Sequence, residues 1–311
     1  MSGERPRLLI LGIPHFGNLL AELLSGHDWE IRYEPHPGRN PGSWAKLMPK
    51  IARADLLYLI SARIDRRSPL DRLLRARRKP VVIHWVGTDA MRAVEAHRAR
   101  NLSVRAVEMP THWADASWVR DELKELGMKV EHLPLPVPAA AASASPLPEG
   151  FRVLMYLPED ERDRAVFDVE TMLELPGAFP DVEFTVFPAP AHTLPTPMPP
   201  NLRAQAWTDD VDVLYQEATV YARLTTHDGM PLTVIEALSR GRHVVYPHRF
   251  PGVTQAAGLD EVSTVLRDLK TRHEEGTLGL NQEGIAYVRD QYDAETLTNR
   301  LAGRLRSLIE G

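Results

Sequence analysis

Apolar positions along the chain follow two alternating periods. Residues 7–26, "RLLILGIPHFGNLLAELLSG", begin with a continuous apolar run, break at a glycine turn and continue with helical spacing. A short apolar run bounded by turn residues marks a buried strand, and recurrence at three and four positions marks a helix. The same grammar repeats. "WEIRYEP" reads as a second strand, and "SWAKLMPKIARADLLYLIS" as helix then strand. "SPLDRLLRARRKPVVIHWVGTDAMRAVEAHRAR" reads as helix, strand, loop, helix. "RAVEMPTHWADASWVRDELKELGMKVEHLPLPV" gives a short strand, a helix and another strand. The stretch "PLPVPAAAASASPLPEG" then loses both periods and reads as a linker.

The pattern restarts with "FRVLMYLP" as a strand and "ERDRAVFDVETMLELPGAFP" as a helix. A strand over "DVEFTVFPAP", a proline-rich loop, a strand–helix pair over "LRAQAWTDDVDVLYQEA" and a strand over "TVYARLTT" follow. Near the C-terminus Leu297, Leu301, Leu305 and Leu308 draw one apolar stripe on a final helix. Strands alternating with helices imply parallel sheets covered on both faces. The expectation is an α/β chain of two Rossmann-like doubly wound domains. The first spans residues 1–138, a linker 139–150 and the second 151–284, with a terminal helical segment over 285–311. Such sheets bind ligands beyond the carboxyl ends of their strands, and two facing domains would place a site in the cleft between them.

Composition narrows the function classes. The 311 residues contain no cysteine, which removes disulfides, thiolate metal sites and thiol nucleophiles. No "HExxH" or similar spacing suggests a metal site. No apolar run approaches the ~18 residues of a membrane span. The N-terminal run is interrupted by Pro14 and reads as a strand, not a signal peptide, so a cytoplasmic location is expected. The net charge is −5, but basic residues outnumber acidic ones over residues 1–150 and the balance reverses afterwards. The acidic second half argues against nucleic acid as a partner. The densest basic stretch, "ARIDRRSPLDRLLRARRKP" at residues 62–80, fits a peripheral anionic membrane contact, an anionic substrate, or a solvated helix face with pairs such as Asp71–Arg75.

The candidate chemistry concentrates in "TTHDGMPLTVIEALSRGRHVVYP", residues 225–247. Gly229 permits a sharp turn, Pro231 suits the first helical position, "PLTVIEALSR" is the helix and Gly241 its stop. The first-turn N–H groups carry the positive end of the helix dipole and would stabilise a diphosphate. Glu236 lies about 7.5 Å further along the axis, where it would repel phosphate but could accept hydrogen bonds from paired hydroxyls. Asp228 lies ahead of the helix, as a sugar contact or as a turn former beside Gly229. Thr233, Glu236 and Arg240 also share a helical stripe, which is compatible with plain surface.

This stretch resembles the nucleotide-sugar signature of GT-B glycosyltransferases of the retaining family 4 type. "DGMPLTVIEALSRGRHVV" places Asp228 at the first acidic position and Glu236 at the second, with Gly229, Leu232, Ala237, Gly241, Val244 and Val245 in matching places. "VRDELKELGMKVEHLPLPV", "DVLYQEATVYARLTTHDG" and "YVRDQYDAETLTNRLAGRL" extend the resemblance along most of the chain, the last as a helix that crosses back to the first domain. The resemblance implies that Glu236 binds the ribose hydroxyls of a nucleoside diphosphate sugar. It places Asp228 near the donor sugar and the backbone of Gly229, Met230, Pro231 and Leu232 close to sugar and phosphates. It also implies transfer with retention, a donor that is a substrate and not a cofactor, and no metal. The departing diphosphate would help to deprotonate the acceptor.

Two departures stand out. Asp228 is one methylene shorter than the usual Glu, and the usual basic pair after the first strand of the second domain is replaced by "MYLPEDERDR", where Arg162 and Arg164 are the nearby candidates. In the first domain, Gly12 and Gly17 of "GIPHFGN" allow close backbone approach, to a ligand or simply in an ordinary strand–helix turn; the resemblance implies that this loop faces the donor diphosphate, with His15 at its tip as an acceptor-side candidate. The loop is neither "GxGxxG" nor a P-loop, which removes an NAD-dependent reading. In "VVIHWVGTDAM", Gly87, Thr88 and Asp89 follow a strand. They form the acceptor-side candidate, with Asp89 as helix cap, catalytic contact or both, and His84 as core or cleft residue. The acceptor is left as a glycan, lipid or small molecule. The alternative function, favoured by the missing basic pair, is a non-catalytic GT-B-fold binding or partner protein.

Overall fold

The computed structural model describes residues 5–38, 40–76, 78–138, 143–158, 163–189, 194, 196–208 and 210–310. It divides into two compact units. The first comprises Met1–Pro136, Asp228–Met230 and Ala294–Gly311, the second Val137–His227 and Pro231–Asp293.

In the first unit the chain runs β1 (Arg7–Gly12), α1 (Pro14–Leu23), β2 (Glu30–Pro35), α2 (Pro41–Arg53), β3 (Leu56–Ile60), α3 (Pro69–Ala76) and β4 (Val81–Trp85). It continues through α4 (Thr88–Arg98), α5 (Val104–Glu108), β5 (Thr111–Ala114), α6 (Ser117–Glu125) and β6 (Val130–His132). The six strands are parallel, in the order 2-1-3-4-5-6. Every residue of β3 and β4 is buried, as expected of strands with helices on both faces. One difference from the sequence pattern is α5. Val104–Glu108 carries strand-like valines but follows Ser103, whose side chain accepts the Ala106 N–H at 3.2 Å and starts a helical turn.

The second unit runs β7 (Arg152–Tyr156), α7 (Val169–Ala178), β8 (Glu183–Phe187), β9 (Leu202–Ala204), α8 (Asp212–Gln216) and β10 (Val220–Ala222). It closes with α9 (Leu232–Ser239), β11 (His243–Tyr246), β12 (Val253–Gln255), α10 (Gly258–Glu274) and α11 (Gln282–Gln291). Its six strands are also parallel, in the order 12-11-10-7-8-9. The three-residue β12 has no sequence signature, because only its pairing with β11 makes it a strand. Within this unit the buried Arg242 donates to the carbonyls of Ser145, Pro146, Ala218 and Arg240. That clasp fastens Ser145 and Pro146, in the proline- and alanine-rich segment, to the second unit.

The last helix, α12 (Ala294–Glu310), completes the core of the first unit: Leu301 and Leu305 join Leu8, Ile10, Tyr58 and Trp113. At about 1.5–3 kcal/mol for each fully buried leucine, the apolar stripe anchors the tail there. A separate core in the second unit gathers Val153, Met155, Met172, Phe184 and Leu266.

Candidate active site

In each sheet the strand order reverses beside the first strand of the unit, between β1 and β3 and between β7 and β10. Such switch points open a crevice at the carboxyl ends of the strands.

In the second unit, α9 begins one residue later than the sequence pattern placed it. Pro231 is the N-cap, with φ −74 and ψ 126, and its carbonyl accepts the N–H groups of Val234 and Ile235. The helix ends in a Schellman motif. The Gly241 N–H donates to Leu238 O at 2.9 Å and the Arg242 N–H to Ala237 O at 3.0 Å, with Gly241 at φ +77. The stripe of Thr233, Glu236 and Arg240 is not plain surface: the first two are half-buried and Arg240 is buried. The Tyr215 hydroxyl, presented by α8, donates to Glu236 Oε2 at 2.9 Å, and the Tyr221 hydroxyl to Thr233 Oγ1 at 2.7 Å. Arg240 pairs with Asp212 and lies 5.0 Å from the Tyr215 ring centre. Burial and the Glu236 charge push the Tyr215 hydroxyl well above its ordinary pKa, so it remains a donor. Glu236 is thus held in one orientation by a neutral phenol, and no partner for Oε1 is found among the described residues.

Sequence reasoning did not single out an arginine that stands at this switch point. Arg223 follows β10 directly, is 7% exposed, and lies 4.6 Å from the Tyr156 ring centre and 4.8 Å from that of Phe167. Its place immediately after a strand at the switch point was the available signal. Arg164 lies in the segment before α7 and pairs with Glu170 at 2.6 Å. Arg162 lies outside the described residues.

In the first unit, residues 228–230 lie along the ends of β4 and β5. A Cβ on Gly87 would stand 2.3 Å from the Gly229 nitrogen, and one on Gly229 would stand 2.3 Å from the Val86 carbonyl oxygen. Only two glycines allow the backbones to approach so closely. Trp118 Nε1–H donates to the Asp228 carbonyl at 2.9 Å and the Met230 N–H to Asp115 Oδ2 at 3.2 Å. Asp228 Oδ1 accepts the Gly229 N–H at 3.0 Å. Asp115, which the sequence pattern did not single out, is 2% exposed, and its Oδ1 has no hydrogen-bond partner among the described residues. Burial, then the nearby Asp89 and Asp228 charges, raise its pKa well above the carboxylate range.

Asp89 is also 2% exposed. Its Oδ1 accepts the N–H groups of Val86 and Ala90, both at 3.1 Å, so it braces its own strand–helix turn. Burial lifts its carboxyl to about 6. Gly87, at φ +120, is the N-cap of α4, and the half-buried Thr88 is its first residue. Among the described residues no group of three or more His, Asp or Glu is placed to hold a metal ion.

The remaining sequence candidates fall elsewhere. The space over Gly12 is filled by the Ile60 backbone and that over Gly17 by the Tyr33 ring, so a side chain at either position would meet its own unit. His15 is exposed beside Phe16. His84 is fully buried against Tyr58 and Trp113, and burial lowers its pKa to about 3, which keeps this core histidine neutral.

No protein-family model matches the chain, and no curated protein does. Solved structures do. A sucrose-phosphate synthase from Thermosynechococcus elongatus superposes with a TM-score of 0.75 at 10% identity, covering 98% of this chain and 100% of that one. A glycosyltransferase from Rickettsia africae gives 0.65 at 10% identity, covering 98% and 99%. The chain has the GT-B fold. A UDP-GlcNAc 2-epimerase from Neisseria meningitidis, solved with UDP-GlcNAc, shares it at a TM-score of 0.59 and 10% identity, covering 97% and 100%. The GT-B architecture therefore hosts both transferases and epimerases among its neighbours. Among the described residues of this GT-B chain, no helix is long and apolar enough to cross a membrane.

Proposed function

We propose that this GT-B chain is a retaining glycosyltransferase of the family 4 type, which moves a hexosyl group from a nucleoside diphosphate sugar to an acceptor. The observation that carries the reading is Glu236, fixed by Tyr215 with Oε1 free of partners among the described residues. A carboxylate held this way suits the vicinal hydroxyls of a ribose, because one oriented oxygen can accept from both. The first turn of α9 supplies backbone N–H groups for the diphosphate. Arg223 supplies a cation at the switch point of the same sheet, in the role of the basic pair that the sequence lacks. These groups would neutralise the leaving diphosphate without a metal. Trp207, 66% exposed and stacked on Phe187 at the end of β8, offers an aromatic face for the base. Asp228 is the residue we assign to the donor sugar.

UDP is the first nucleotide to test, since the Neisseria neighbour was solved with UDP-GlcNAc. The experiment is calorimetric titration with UDP, GDP and ADP, followed by a screen of the matching sugar nucleotides for transfer and for epimerised product. Binding of one nucleotide, weakened by Arg223→Gln, and sugar transfer without epimerisation are expected. Transfer that persists in EDTA is also expected. Silence of all three nucleotides would overturn the reading in favour of a non-catalytic protein.

A further inference from the structure

We propose that the first unit holds the acceptor in a cavity at the switch point of its own sheet, and that this acceptor is an amphiphile with an apolar body and a terminal phosphate or carboxylate. The word acceptor rests on the transferase reading above; the cavity and its ligand chemistry do not. The cavity has a volume of about 990 Å³, the upper end of the range for small-molecule sites. It opens where β1 and β3 end, bounded by Gly12 and Ile60, and is walled by α2 and α3. Leu11, Leu59, Leu70 and Leu73 line it together with Trp44 and Met48. Ile13 and Met48, two of the few large apolar side chains exposed among the described residues, both belong to this lining. A wet apolar wall of this kind is stabilised by an apolar occupant.

The charge lining is one-sided. Arg63, Arg67, Arg72 and Arg92 contribute to the cavity, and no acidic residue does among the described residues. Arg63 is neutralised by Asp65 at 2.8 Å. For the Arg67, Arg72 and Arg92 side chains no carboxylate partner is found among the described residues. In the same basic segment Arg75 pairs with Asp71 and Arg66 bonds the Leu102 carbonyl. The segment 62–80 is therefore not a uniformly solvated face. Arg67 and Arg72 of this segment line the cavity together with Arg92 of α4. Burial and the Arg63 charge lower the pKa of His36, another lining residue, so it adds no positive charge near neutrality. Ser61, at the end of β3, holds a left-handed φ of 65 on the cavity wall, a conformation rare for serine. A phosphate or carboxylate head among three arginines with its tail on the leucines satisfies both halves of the lining.

The test is calorimetric titration of the intact protein with decyl phosphate, decanoate and uncharged decanol, each below its aggregation limit. UDP is titrated in parallel, and anionic and neutral vesicles are pelleted with the protein. Decyl phosphate should bind most tightly. The combined change of Arg67, Arg72 and Arg92 to Gln should weaken it on the order of tenfold and leave decanol unchanged. Leu73→Trp, which fills the cavity, should weaken all three amphiphiles; circular dichroism confirms that both variants fold. Equal binding of decanol and decyl phosphate, or affinity indifferent to both variants, would overturn the proposal. Pelleting with anionic vesicles without monomer binding would also overturn it and assign the arginines to a membrane surface. If UDP binds and decyl phosphate does not, this inference falls and the transferase reading stands. If decyl phosphate binds and no nucleotide does, the acceptor role falls and the ligand site stands.

Discussion

Glu236 owes its orientation to a phenol from another helix, and that dependence makes the donor assignment testable at single residues. Hydrogen bonds to a charged group contribute ~1.5–3 kcal/mol, so Glu236→Gln should weaken binding of the cognate nucleotide about ten- to hundredfold. Tyr215→Phe, which leaves the carboxylate but frees its rotamer, should cost less. Titration of both variants checks the order; equal loss in both would remove Glu236 as the direct contact. The sequence made Glu236 visible because its eight-residue spacing from Asp228 across a helix start is local. Tyr215 was not visible, since its contact crosses 21 positions. Asp89 allows a second test. Its carboxyl is lifted to about 6 from an ordinary 3.8 by burial. An acid with a raised folded pKa favours folding while it is neutral. Its stabilising share is complete below the unfolded value and is lost as pH rises through the folded one. Asp89→Asn keeps the Oδ1 acceptor and cannot ionise. The unfolding free energy of the native protein, relative to this variant, should therefore fall by about 2 kcal/mol between roughly pH 4 and pH 6.5. Urea melts across that range measure it, and a flat difference would contradict the burial argument.

At the scale of elements, α9 illustrates what local sequence can specify. Its start and stop are written in Pro231 and Gly241, residues with restricted or unusual backbone preferences. Gly241→Ala would force a methyl group onto φ +77, with Leu280 only 3.1 Å away. A loss of about 1–2 kcal/mol in stability is expected, read by denaturant melts. The turn before the helix is a different case. The glycine at 229 was legible as a sharp turn, yet its severest constraint is the Val86 carbonyl, more than a hundred positions away. Gly229→Ala should displace residues 228–230, cost about 1–3 kcal/mol by overpacking and depress transfer more than nucleotide affinity. A variant with full transfer activity would show that this turn does not position the reacting sugar. Short elements were the least legible. α5 depends on a serine cap that overrides its valines, and β12 exists only through its neighbour.

At the scale of the whole molecule, two cores and two switch points predict two separable ligand footprints. Hydrogen exchange with the cognate nucleotide should slow amides from β10 through α9, and exchange with decyl phosphate those at the ends of β1 and β3 and in α3. A nucleotide footprint in α3, or an amphiphile footprint in α9, would contradict the assignments. The sequence by itself determined the alternation of strands and helices, the restart after the proline-rich stretch, the apolar stripe of α12 and the local motif around Glu236. Each of these follows from periodicity or from backbone chemistry within a few residues. Only the tertiary structure decided which polar residues meet. It packed Asp115 beside Met230, stacked Arg223 on two rings, filled the space over Gly12 and Gly17 with other parts of the first unit, and gathered Arg67, Arg72 and Arg92 at one cavity. Parallel strands are joined through intervening helices, so residues at neighbouring strand ends lie tens of positions apart. No local pattern records their proximity.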